Sequence, residues 1–287
     1  MSKPVLLVTG ATGLIGAGVL SGLAEMGGSR LIASGVGEEP PQGAPWAGKA
    51  EYLPYDLARP EENPFEYFHK PDKALHLAWG GLPDYRADFH LESQLPRQKA
   101  FLESLLRGGL GDLTVAGTCF EYGLAEGELG EEAPAAPGTA YARAKDELRR
   151  FLEERQKSRP FKLKWVRIFN LWGDGLRANS FWGKLERALE RGDEVFAMSS
   201  GEQRRDFLTL PELAGYLIKI TLQDKVLGVI NCGSGQPERL RDKVEEYLRQ
   251  KGKRIELQLG VYPCPDYEPQ ACWAKREKLE RCLRHIH

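Results

Sequence analysis

The chain has 287 residues, with 40 Lys plus Arg against 41 Asp plus Glu and a formal net charge of −1, a balance that argues against a dedicated nucleic-acid binder with its basic excess. Hydrophobic residues at 41% and charged residues at 28% are ordinary for a globular protein of one large domain or two modest ones. No apolar run approaches the ~18–20 residues that cross a bilayer and nothing in the charge points to a membrane surface, while the five cysteines, an odd number, fit a reducing, cytoplasmic compartment better than a disulfide framework.

The opening MSKPVLLVTG shows no cleavage pattern, and Val5 to Thr9 reads as a buried strand. A helix pattern follows from Leu14 to Met26 and stops at Gly27-Gly28. Further strands are predicted at Arg30 to Ser34, Glu51 to Tyr55, Lys73 to Leu77, Asp112 to Ala116 and Leu163 to Ile168, and long helices at Asp88 to Arg107 and Tyr141 to Gln156. A loop rich in Pro and Gly spans Gly35 to Gly48. Strand and helix alternating at this spacing predict an α/β fold, a doubly wound parallel sheet with right-handed crossovers. After Gly173 helix patterns at Phe181 to Arg191, Pro211 to Leu222 and Leu240 to Gln250 are separated by loops with few strands. The expected division is a sheet domain over 1–172 and a smaller, mostly helical portion over 173–287, partly interleaved with it.

The first strand runs into Thr9-Gly10-Ala11-Thr12-Gly13-Leu14-Ile15-Gly16, and a helix opens there. Glycines let the backbone turn tightly and approach a pyrophosphate, and the helix N-terminus offers unpaired N–H groups and a positive dipole end. A Gly-rich segment alone is weak, but strand before and helix after is the context a dinucleotide site requires. Gly10, Thr12, Gly13, Leu14, Ile15 and Gly16 are therefore the candidate cofactor cradle.

The GxxGxxG spacing resembles the extended short-chain dehydrogenase/reductase family, of the nucleotide-sugar epimerase/dehydratase type, and the resemblance implies a Rossmann-type domain. In NAD-using members an acidic residue closes the second strand; Ser34 stands there, with Glu38 and Glu39 beyond it. Without that acid a 2′-phosphate meets no repulsion, so NADP(H) is preferred, although no Arg or Lys directly follows the strand and NAD(H) stays open. Asp56-Leu57 looks like the adenine-contacting pair. Leu77, Ala78 and Trp79 lie where a small-residue turn passes over the cofactor, and Trp79 departs from the usual small residue.

Tyr141-Ala-Arg-Ala-Lys145 places a phenol and an ammonium one helical turn apart. A nearby ammonium lowers a phenol's pKa from about 10 and makes it a usable proton donor or acceptor. By resemblance the lysine also bonds the nicotinamide ribose. Upstream, Gly117-Thr118-Cys119-Phe120-Glu121-Tyr122-Gly123 resembles the family's hydroxylated run before a Tyr-Gly pair, which puts Thr118 at the catalytic Ser/Thr position. Family 4,6-dehydratases carry Asp-Glu directly after that residue, where this chain has Cys119 and Phe120. Family 3,5-epimerase/reductases carry a Cys two places on and a His in the substrate loop, where this chain has Phe120 and Phe181. Both chemistries are disfavoured, leaving hydride transfer at a sugar ketone or 4-epimerisation.

Arg167 to Gly173 looks like the family's Arg-x-x-Asn-x-Tyr-Gly segment, with Asn170 as a substrate contact and Trp172 in place of Tyr. Asn179-Ser180 opens a helix that could serve the diphosphate. Arg204-Arg205-Asp206-Phe207 resembles an element whose Arg205 pairs with a phosphate; the competing reading is an ion pair with Asp206 or Glu202. Cys264, Cys272, Cys282, His285 and His287 are metal-ligand types without the paired spacing of a zinc site, so no metal is expected.

The motifs together resemble nucleotide-sugar 4-keto-6-deoxyhexose reductases. The expected activity is NAD(P)H-dependent reduction of a nucleotide-diphosphate sugar at C4, with Thr118, Tyr141 and Lys145 catalytic and Cys119, Phe120, Asn170, Asn179, Ser180 and Arg205 at the substrate. A 4-epimerase with tightly held NAD is the alternative, and a non-catalytic NADP(H) sensor the third reading. The two long helices are where family dimers form four-helix bundles, so a homodimer is expected.

Overall fold

The chain opens as β1 (Val5–Thr9), α1 (Leu14–Met26), β2 (Arg30–Ser34), β3 (Glu51–Tyr52), α2 (Pro64–Tyr67) and β4 (Lys73–His76) in the computed structural model, which describes residues 3–284. A π-helical segment, His90–Gln94, leads into α3 (Leu95–Gly108) and β5 (Asp112–Thr118). A 3₁₀ turn, Cys119–Tyr122, follows, then β6 (Gly127–Leu129), α4 (Ala140–Ser158), β7 (Lys162–Ile168), β8 (Asn170–Leu171) and α5 (Phe181–Arg191). The remainder is β9 (Val195–Ala197), β10 (Arg204–Leu208), α6 (Leu210–Leu222), β11 (Gly228–Cys232), β12 (Pro237–Arg239), α7 (Leu240–Lys251), β13 (Glu256–Gln258), β14 (Ala271–Ala274) and α8 (Glu277–Arg284).

Seven strands form one sheet in the order β11-β7-β5-β4-β1-β2-β3, and every neighbouring pair is parallel. Parallel strands buried on both faces read as near-continuous apolar runs, and β1 shows why. Leu6 and Val8 pack on one side with Val19, Leu20 and Leu23 of α1 and Leu213, Leu217 and Ile220 of α6. Leu7, between them, points to the other side with Phe101 and Leu102 of α3 and Leu148 and Leu152 of α4. The strand order reverses between β1 and β4, so the crevice beyond their carboxyl ends is a topological switch point.

Several predicted bounds move for physical reasons. β3 is shorter than predicted, ending at Tyr52, although Leu53 N and Tyr55 N still donate to Ala33 O and Gly35 O at 2.9 and 2.8 Å, which leaves Pro54 on the open side of the edge strand. β5 runs on to Thr118, paired with β7 throughout and with Thr118 opposite Ile168. The predicted helix from Asp88 begins as the π segment, with Pro96 in the first turn of α3. The portion after Gly173 holds more strands than expected. β12, β10, β14 and β6 form a second, mixed sheet with β8 on β10, and β9 pairs with β13. Strands of three to five residues carry too little periodicity to separate from loop. β11, from the same portion, joins the large sheet beside β7. Among the described residues no helix is long and apolar enough to cross a membrane.

α1, α6 and α8 pack on one face of the large sheet, with Leu279 and Cys282 of α8 in the same cluster as Leu213 and Leu217 of α6. Leu217 is fully buried there, so Leu217→Ala should cost about 2–5 kcal/mol, read as a lowered midpoint in urea unfolding followed by circular dichroism.

Candidate active site

The first turn of α1 faces the switch-point crevice without a cap. Gly13 is its N-cap and offers no side chain, and the first turn carries no acidic residue. The first intrahelical bond is Ala17 N to Gly13 O, at 2.9 Å. The preceding N–H groups of Leu14, Ile15 and Gly16 therefore have no acceptor in the helix. Two glycines permit this geometry. Gly10 has φ +71, and a Cβ there would lie 2.8 Å from Ala78 N; one on Gly16 would lie 2.2 Å from Gly10 O. An uncapped helix end against close-packed backbone fits the pyrophosphate of a dinucleotide.

That helix end opens into a cleft of about 1170 Å³. The cleft brings together most of the predicted residues: Gly10, Gly13, Leu14, Ile15, Gly16, Leu77 and Trp79 beside β1 and β4; Thr118, Cys119, Phe120, Tyr141 and Lys145 at the end of β5 and on α4; Asn170, Asn179, Ser180 and Arg205 on the far side. Thr12, Ser34, Asp56, Leu57 and Ala78 are not part of this lining. Thr12 lies against Gly35 at the end of β2. Ser34 is buried, and its carbonyl accepts Ala11 N at 2.9 Å. Asp56 accepts Ala58 N at 2.9 Å, and Ala78 backs Gly10. Ser180 caps α5 by accepting Gly183 N at 3.1 Å.

Thr118 is held by a buried carboxylate that the motif reading missed. Its N–H donates to Glu121 Oε1 at 2.9 Å, while its own Oγ1 accepts Phe120 N at 3.3 Å. Glu121 also accepts Trp165 Nε1 at 2.9 Å and Arg167 Nε at 2.7 Å. Burial pushes the Glu121 carboxyl up, and the Arg167 guanidinium opposes that push. Glu121 thus ties the end of β5 to β7.

Tyr141 and Lys145 lie on one face of α4, as their spacing requires. Lys145 is buried, and its Nζ donates to Ala116 O at 2.8 Å. The same Nζ sits 3.9 Å from the centroid of the Trp79 ring and 5.9 Å from that of Tyr141. Burial pushes the Lys145 ammonium down to about 7. Burial, then Tyr85, Glu121 and Cys119, hold the Tyr141 phenol well above its ordinary value. In this arrangement the desolvation of Tyr141 outweighs any lowering by the lysine.

His76, at the end of β4, carries the turn that backs Gly10. Its Nδ1 lies 2.8 Å from Thr9 Oγ1 and its Nε2 2.5 Å from Gln98 Oε1, whose amide nitrogen donates to Ala78 O at 2.8 Å. Gln98 Oε1 only accepts, so Nε2 carries the proton and Nδ1 takes the threonine hydroxyl. Full burial, with the Lys145 charge, pushes His76 down to about 3.

On the far side of the cleft Tyr85, Phe120 and Tyr267 form an aromatic wall, with ring centroids 4.9 to 6.0 Å apart. Burial pushes the Cys119 thiol up, which suits an inert residue. Arg205 pairs with neither residue considered for it: its Nη2 is 2.8 Å from Glu268 Oε2. Asp206 instead accepts Ser234 N, Gly235 N and Ala274 N, and Glu202 pairs with Arg239. Tyr85, Tyr267 and Glu268 line the cleft and carry no local motif that would have singled them out. Among the described residues no cluster of three or more His, Cys, Asp or Glu could hold a metal, and His285 and His287 lie outside those residues.

A parallel sheet with a pyrophosphate cradle at its switch point and a Thr, Tyr and Lys beside it defines a dinucleotide-dependent α/β enzyme. The chain belongs to the NAD dependent epimerase/dehydratase family, whose model matches residues 6–233, and its cofactor is accordingly NAD(P). It is 29% identical over 273 residues to a dTDP-6-deoxy-L-talose 4-dehydrogenase (NAD(+)) of Aggregatibacter actinomycetemcomitans, a match that covers 94% of this chain and 99% of that one. The fold is shared with an NAD-dependent NDP-hexosamine 5,6-dehydratase of tunicamycin biosynthesis (TM-score 0.83, 24% identity, 98% of this chain and 91% of that one). It is shared also with the UDP-glucuronic acid 4-epimerase of Bacillus cereus in complex with UDP-glucuronic acid and NAD (TM-score 0.85, 19% identity, 98% and 93%).

The buried neutral His76 makes stability depend on pH. Its folded pKa lies below that of an unfolded histidine, about 6.5, so the unfolded chain binds the extra proton. Its contribution is complete above about pH 6.5 and is lost towards pH 3. Between pH 7 and 5 the unfolding free energy should fall by about 2 kcal/mol on this account, and His76→Asn should remove that part of the slope in urea titrations at the two pH values.

Proposed function

We propose that the protein reduces a nucleotide-linked 4-keto-6-deoxyhexose at C4 with NAD(H). The observation that carries this reading is the grouping of Thr118, Tyr141 and Lys145 in one cleft with the uncapped end of α1. Bound NAD(H) supplies a hydride for a carbonyl carbon and, in reverse, accepts one. The N–H groups of Leu14, Ile15 and Gly16 would hold its pyrophosphate. Lys145 would bond its ribose. The Thr118 hydroxyl donates to the sugar C4 oxygen and orients it. As hydride reaches C4, the Tyr141 hydroxyl gives its proton to that oxygen, so the ketone becomes a secondary alcohol.

The aromatic wall of Tyr85, Phe120 and Tyr267 suits the apolar C6 methyl of a 6-deoxy sugar. The relative named as a dTDP-6-deoxy-L-talose 4-dehydrogenase supports the same substrate class and the same carbon. We infer NAD(H) in place of the NADP(H) that Ser34 favours. The segment 35–48 after β2 holds Glu38 and Glu39 and no Lys or Arg to receive a 2′-phosphate, and the relative's name specifies NAD(+).

Steady-state assays with NADH and a dTDP-4-keto-6-deoxyhexose test the proposal by consumption of NADH absorbance. Tyr141→Phe should lower kcat by about 10²–10⁴-fold with NADH affinity unchanged. Near-normal turnover in that variant would sink the mechanism. Stoichiometric NAD in the purified protein, with redox-neutral interconversion of sugars, would favour the 4-epimerase.

A further inference from the structure

Trp79 stands where the resemblance leads one to expect a small residue, and its surroundings show what it is for. The Lys145 ammonium lies 3.9 Å from the centre of its ring. Both groups are buried, so the attraction between the cation and the negative ring face is little screened. The indole is also fixed at its far edge. Its Nε1–H donates to His90 Nδ1 at 3.1 Å, and His90 Nε2 lies 2.8 Å from Asp84 O. An indole only donates and a carbonyl only accepts, so His90 is a neutral ring with its proton on Nε2 and both nitrogens committed.

The backbone is shaped to deliver this pair. Gly80 and Gly81 follow Trp79, and a Cβ on Gly81 (φ +84) would lie 1.8 Å from Phe89 Cζ. His90 opens the π-helical segment, whose wider turn is closed by Leu95 N on His90 O. π-helical turns of this kind are costly and concentrate at functional sites. Tyr141 lies against both rings, 5.8 Å from Trp79 and 5.3 Å from His90.

We propose that Trp79, locked by His90, is a positioning residue that holds the Lys145 ammonium charged on the floor of the cleft and so sets the alkaline limit of dinucleotide binding. The proposal rests on the reading of Lys145 as the group that bonds the cofactor ribose. Burial alone drives this ammonium towards its neutral form near pH 7. The titratable groups around it are Glu121 from the 3₁₀ turn, His76 from β4, His90 from the π segment and Tyr141 on its own helix. Of these only Glu121 brings a negative charge. The Ala116 carbonyl, which accepts from its Nζ at 2.8 Å, and the ring face of Trp79 are the other features that favour the cation.

The test is NADH affinity by calorimetry across pH 6–9, which needs no sugar substrate. Wild-type affinity should fall through one titration, and Lys145→Met should abolish that titration. Trp79→Leu should move its midpoint about one pH unit lower, a tenfold change in the charged-to-neutral ratio of Lys145. Trp79→Phe keeps a π face but loses the bond to His90, and should shift the midpoint by less. If Trp79 serves only to fill space, Trp79→Leu will weaken binding equally at every pH and leave the midpoint in place. That result overturns the proposal, as does a wild-type affinity with no titration in the range. Thermal unfolding of each variant identifies any that fail to fold, and Trp79→Phe then carries the comparison. Failure to turn over any 4-ketosugar, with the midpoint shift intact, would reject the substrate proposed above and leave the role of Trp79 standing.

Discussion

The carboxyl ends of β1, β4 and β5 lie side by side because a parallel strand must return through a crossover, and every crossover here starts on the same edge. Polar side chains gathered at that edge are buried between covering helices. A buried polar group without a partner is costly, so each is fixed by its neighbours. Glu121 takes three donors, His76 uses both ring nitrogens, and His90 does the same. The precision of the site is a consequence of this satisfaction. Thr118 stands where it does because Glu121 accepts its N–H, and Glu121 stands there because Arg167 and Trp165 on β7 hold it. Removing one member of such a buried pair costs about 3–5 kcal/mol, so these residues serve the fold and the chemistry together.

What the sequence revealed is what local signals encode. The bounds of α1 and α5 and the strands around the glycine loop follow from periodicity and from glycine stops, and they match the structure closely. The spacing of Tyr141 and Lys145 put them on one helix face without reference to anything else. The partners of those residues were hidden, because they come from far along the chain. Trp79 reaches Lys145 across 66 positions, and Arg205 meets Glu268 across 63. His90 sat inside an apolar pattern read at a period of 3.6, where a π turn leaves no mark. The strands β9, β12, β13 and β14 have three or four residues each, too few for alternation to register.

Arg205 illustrates how a partner distant in sequence escapes a local motif. An arginine fork suits a phosphate, and the cleft position fits that use. The structure adds a carboxylate at 2.8 Å from its guanidinium. A buried arginine in the protein alone needs such a counter-charge. Glu268 fulfils that need from a loop that also carries Tyr267, part of the aromatic wall, so the counter-charge of Arg205 and the shape of that wall are set by adjacent residues.

The surroundings of Tyr141 set the protonation state of its phenol in the resting cleft. A phenol that must give a proton to a developing alkoxide has to be protonated when the substrate arrives. Burial foremost, then Tyr85, Glu121 and Cys119, raise its pKa, so the neutral phenol persists across the whole physiological range. Oxidation of the alcohol needs the opposite, a phenolate able to take a proton, and that form requires a nearby positive charge. Lys145 is the group placed to provide it, and its own ammonium is opposed by the same burial. A catalyst leaves the equilibrium unchanged, yet it does set which protonation state waits in the cleft. In this cleft the waiting state is a proton donor, as an ordinary phenol is near neutral pH, and the ammonium held on the Trp79 ring is the nearby positive charge that bears on the phenolate form.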